Sequence, residues 1–136
     1  MRAFARILLP FLFLAGLASA VHAAERAIIV LDASGSMWGQ IDGKPKLEIA
    51  RETLKKVLQT VPADMELGLM AYGHREKGSC EDIELIVPPG TGTGPAIIDA
   101  ANTLNFLGKT PLSEAVRRAK SAARPIDLAR QGSWAT

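Results

Sequence analysis

Asp32, Ser34 and Ser36 stand two residues apart in the stretch LDASGSMWG, directly after the apolar run AIIV. A carboxylate and two hydroxyls at that spacing supply hard oxygen donors, which suit Mg²⁺, Mn²⁺ or Ca²⁺ rather than Zn²⁺. Gly35 between the serines allows a tight turn. Only one of the three donors is charged. A divalent ion held there keeps residual positive charge and attracts a carboxylate from outside. That is binding chemistry, because no nucleophile stands beside a base. A plainer reading has Asp32 and the serines only capping the loop before the next helix, and spacing alone leaves both open.

The surrounding pattern alternates strand and helix. Ala27–Asp32 is a wholly apolar run closed by a carboxylate, as a buried parallel strand reads. A Gly- and Ser-marked loop follows to about Pro45. From Lys46 to Val61 the residues Leu47, Ala50, Leu54, Val57, Leu58 and Val61 recur at helical spacing, with Lys55 and Lys56 on the wet side. Met65–Gly73 and Asp82–Val87 read as strands. Pro95–Asn105 and Thr110–Ala123 read as helices, the second with Thr110 as N-cap and Pro111 at the first helical position. This order predicts a three-layer, Rossmann-like α/β fold with a mostly parallel sheet. His74–Cys80 is too short for a parallel crossover, so the third strand should run antiparallel at a sheet edge. In such a sheet, ligands collect at the carboxyl ends of the strands, where Asp32 lies.

On these residues the chain resembles the von Willebrand factor type A (VWA) domains. VLDASGSMWG is similar to the D-x-S-x-S signature of their metal-ion-dependent adhesion site, and GLMAYGHR, GTGTGPAIIDAANTL and GKTPLSEAV extend the likeness from about Ala27 to Ala122. The resemblance implies a non-enzymatic protein-binding domain whose Mg²⁺ (or Mn²⁺ or Ca²⁺) is faced by Asp32, Ser34, Ser36 and Thr110, the partner supplying a carboxylate. The family's site also takes an aspartate from the end of a fourth strand, usually followed by glycine. Asp127, in RPIDLAR, has neither a strand before it nor a glycine after it. The expectation is therefore the N-terminal half of the fold (27–123), an incomplete site that holds metal weakly or not at all, and an irregular tail over 124–136, a candidate for an out-of-frame end. The exposed first strand is then expected to self-associate. Exported bacterial members often carry cysteines after the missing aspartate, which would leave Cys80 without its partner.

The remaining features bound the alternatives. Arg2 and Arg6, an apolar run from Ile7 to about Leu17 and small residues after it have the layout of a secretory signal peptide over 1–23, cleaved after Ala20 or Ala23. A periplasmic or secreted location is expected, without a stable membrane anchor after cleavage. Cleavage removes two arginines and no acids, which takes the formal charge of +2 to zero. No Lys/Arg cluster with interleaved aromatics remains to bind nucleic acid. Cys80 is the only cysteine. Neither PPGTGTGP nor GKT completes a nucleotide-binding P-loop: Gly94 is followed by Pro95 and Ala96, and Thr103 stands where the second motif needs its first glycine. A Mg²⁺-dependent phosphatase of the haloacid-dehalogenase type would need an acid at Ser34, so that reading lacks a proton donor. His74 reads as a loop histidine. A truncated product with neither binding nor catalysis is the blandest alternative.

Overall fold

The computed structural model describes residues 25–124. The expected signal peptide over 1–23, the tail and Asp127 lie outside the described residues. Nine elements follow in order. Strand β1 (Arg26–Asp32) leads into a 3₁₀ turn (Gly35–Trp38) and a small antiparallel ribbon, β2 (Gln40–Ile41) with β3 (Lys44–Pro45). Helix α1 (Lys46–Leu58), strands β4 (Glu66–Tyr72) and β5 (Ile83–Gly90), and helices α2 (Gly94–Thr103) and α3 (Leu112–Ala122) complete the chain. The 3₁₀ turn and the ribbon replace the plain loop expected before α1. Asp42 and Gly43, both at positive φ, make the ribbon's tip.

The main sheet has the order β1-β4-β5. β1 pairs parallel with β4 in unbroken register from Arg26↔Glu66 to Asp32↔Tyr72. β4 pairs antiparallel with β5, as the short connection required. Among the described residues β1 is therefore an edge strand.

Strand alternation divides the core between two faces. Leu31, Leu67, Leu69 and Ala71 point toward α1 and α2, packing on Leu54, Ile97 and Ala101. Met70, Tyr72 and Ile83 point the other way, onto Ala115 and Ala119 of α3, with Ile28 and Val30 beside them. These are the three layers, helix pair, sheet and helix. The amphipathic stripe of α1 and the small residues of α3 explain the choice of faces, since alanines let α3 approach the sheet closely. Among the described residues no helix is long and apolar enough to cross a membrane.

α3 begins one turn position later than its sequence pattern suggests. Pro111, not Thr110, is the N-cap, and the first intrahelical bond runs from Ala115 N–H to the Pro111 carbonyl at 3.0 Å. With φ −78° and ψ 52°, Pro111 lies outside the helix. The Thr110 hydroxyl makes no capping bond, which corrects the N-cap reading and leaves that hydroxyl at an exposed loop position.

Candidate metal centre

β1 carries Asp32 to the carboxyl end of the sheet, and three loops meet there through backbone bonds. Ala33 N–H donates to Tyr72 O at 2.9 Å, continuing the β1–β4 ladder one residue past the strand. Leu107 N–H donates to both Ala33 O (3.1 Å) and Gly73 O (3.0 Å), and Gly108 N–H to Gly73 O at 2.7 Å. Gly35 N–H closes the ring on Gly108 O at 3.0 Å, and Ser34 and Gly108 form a parallel bridge. The approach needs two glycines. A Cβ on Gly108 would lie 2.6 Å from Gly73 Cα, and one on Gly73, at φ +74°, would lie 2.8 Å from Lys109 O.

Within this knot the predicted donors converge in part. The Asp32 carboxylate accepts the Ser34 N–H at 2.7 Å, which orients it toward the loop. Ser34, 1% exposed, and the exposed Ser36 place their hydroxyl oxygens 2.9 Å apart. That separation is an ordinary hydroxyl–hydroxyl bond. It is also about the edge of an octahedron with metal–oxygen bonds of roughly 2.0–2.1 Å, the Mg²⁺ range. The hydroxyl pair thus fits a small hard cation without rearranging its backbone. Thr110 is brought near through its loop, two residues past the Gly108 bridge, but its side chain bonds to neither serine. Among the described residues no three of His, Cys, Asp and Glu cluster as metal ligands.

Tyr72 belongs to this centre, although the sequence reading passed over it. It is the register partner of Asp32. Burial first, and then the Asp32 carboxylate beside it, push the Tyr72 phenol up, so the hydroxyl stays protonated next to that carboxylate. The signal was present in the closing residues of two adjacent parallel strands, but pairing register was needed to see it.

The polar loop after β4 is ordered around a second buried carboxylate. Asp82, with a fully buried side chain, accepts from Arg75 N–H (2.6 Å), Glu76 N–H (3.0 Å) and Arg75 Nε (2.7 Å). Burial works to raise its pKa, yet the Arg75 guanidinium, the two backbone N–H groups and His74 hold it at about 2. His74 is a loop histidine, as expected, but a buried one: its Nε2 lies 2.9 Å from Glu84, while Nδ1, 3.8 Å from Asp82 Oδ1, has no hydrogen-bond partner among the described residues. Gly73 N–H donates to Asp82 O at 2.9 Å, so this network fixes the joint on which the Ser34 and Gly108 loops rest. Cys80 is exposed on the same loop.

The sequence profile of the von Willebrand factor type A domain matches residues 27–131. The chain belongs to that family. VWA domains are protein-interaction domains, and the mixed sheet with helices on both faces is the N-terminal part of their Rossmann-like fold. The VWA chain is similar to two uncharacterized proteins of Bacillus subtilis (strain 168). It is 28% identical to YwmC over 129 residues (82% of this chain, 57% of YwmC) and 26% identical to YwmD over 123 residues (82% and 55%). The chain thus spans just over half the length of the curated relatives it matches.

Proposed function

We propose that this chain is an exported VWA domain that binds a protein partner through a divalent cation, with Asp32, Ser34 and Ser36 as its ligands and Thr110 facing the same point. The supporting observation is the 2.9 Å hydroxyl pair beside a preoriented carboxylate at the carboxyl end of the sheet. When bound, Mg²⁺ or Mn²⁺ would supply a positive charge for a carboxylate of the partner. The chain's own residues prepare that site. Asp32 gives the single anionic donor among the described site residues, the Ser34 N–H holds its orientation, and Gly73 and Gly108 set the loops against each other. The positively charged start and apolar run of the first two dozen residues support export.

With one carboxylate, affinity should be low, on the order of 10⁻⁴–10⁻³ M. Electron paramagnetic resonance of free Mn²⁺ measures it directly. Expected is one weak site, lost in Asp32→Ala and in Ser34→Ala. Binding identical in wild type and Asp32→Ala would place the ion elsewhere and overturn the reading.

A further inference from the structure

Trp38 stands two residues past Ser36 in the same 3₁₀ turn and leaves 61% of its surface open to solvent. Its neighbour Met37 turns inward onto Ala33, Leu47 and Phe106, so an apolar pocket exists beside it that Trp38 does not enter. Nor does the indole hang loose. Its Nε1–H donates to Phe106 O at 2.9 Å. Phe106 is itself buried, with the Arg51 guanidinium 5.2 Å from its ring centroid, and Arg51 donates to the carbonyls of Ala101, Asn102 and Leu104. The next residue, Leu107, exposes its side chain while its N–H ties Ala33 to Gly73. The indole therefore spans the same junction that sets Ser34 against Gly108. Lys109, beside Thr110, is exposed and enters none of the ion pairs among the described residues.

A large aromatic surface held in place before binding loses little entropy when a partner covers it, and such residues carry much of the energy of protein interfaces. We propose that Trp38 and Leu107 form an apolar anchor at the rim of the cation site. The partner is then a protein segment whose carboxylate is flanked by a large apolar side chain, and Lys109 favours an acidic segment over a neutral one. This rests on the cation reading given above.

The test titrates two blocked tripeptides, Phe-Asp-Phe and Ala-Asp-Ala, into the full chain at millimolar Mg²⁺, followed by amide NMR shifts. Phe-Asp-Phe should bind about tenfold tighter, equivalent to ~1.4 kcal/mol. Trp38→Ala should erase that preference, and Trp38→Phe, which keeps a ring but loses the bond to Phe106, should keep part of it. Mn²⁺ affinity measured on each variant reports whether the cation site survives the substitution. Equal affinities for the two peptides, or a preference that persists in Trp38→Ala, would overturn the anchor while leaving the cation reading standing. Absence of any Mn²⁺ site in the wild-type chain would bring down both.

Discussion

β1 and β4 are two strands of equal length and similar apolar content that lie side by side, yet six of the seven residues of β4 are buried and only one of the seven in β1. The difference comes from neighbours. β4 has a strand on each side and helices over both faces, so its side chains lose water in every direction. Among the described residues β1 has a strand on one side only, and an open apolar groove runs along each of its faces. One, about 500 Å³, lies between Ile29, Leu31 and the α1 residues Ile49, Ala50 and Leu54. The other, about 450 Å³, lies between Ile28, Val30 and Val116 and Ala119 of α3. Composition prepared both strands for burial, and sheet position granted it to one. The loop that carries Ser34 and Ser36 grows from the less buried of the two, and it is tied by backbone bonds to the β4 and pre-α3 loops.

The sharpest test of this contrast is truncation at equivalent positions. Leu69→Ala, at a site with no exposed surface, should cost about 2–5 kcal/mol, whereas Ile29→Ala in half-buried β1 should cost less than half as much. Urea unfolding of both variants measures this, and equal losses would mean that β1 is as well packed as β4. A smaller effect separates the two strands by pH, because the ordered loop after β4 hangs on Asp82. Its folded pKa of about 2 lies below the value of 3.8 expected for a free carboxyl. The unfolded chain therefore binds more protons between those values, and stability present above about pH 4 is lost as pH falls toward 2. The contribution is on the order of 2 kcal/mol. Asp82→Asn should flatten the dependence of urea midpoint on pH in that window, and an unchanged slope would show that another carboxyl carries it. The smallest effect concerns the edge of β1. Among the described residues that edge has no strand beside it, and an unpaired apolar edge is a template for strand pairing, so the chain should self-associate at micromolar concentrations in sedimentation. Ile29→Lys should raise the dissociation constant by a few-fold, the scale of ~1 kcal/mol for one cross-strand contact. The same change at Val57, on the outer wall of the groove, should do less.

Much of this architecture was legible from periodicity. Three strands, three helices and the antiparallel turn-back into β5 follow from apolar spacing and from a connection too short to cross over. The placement of Asp32, Ser34 and Ser36 at the carboxyl end of the sheet was legible because the apolar run closes at Asp32 and the small residues follow it directly. Less legible were features that need pairing or packing to appear. Thr110 before Pro111 looks like a cap in one dimension, and only the backbone angles of Pro111 show that the helix starts beyond it. His74 sits in a run of polar residues that suggests solvent, whereas Asp82 folds that run inward and buries it.

Spacing along the chain was enough for the element types and the two-faced sheet, because each depends on local periodicity. Folding was needed to bring Tyr72 beside Asp32, to set Gly73 against Gly108, and to leave Trp38 outside while Met37 goes in. Those outcomes depend on distances between residues far apart in sequence, which are set by sheet register and by the space left when the loops close on one another.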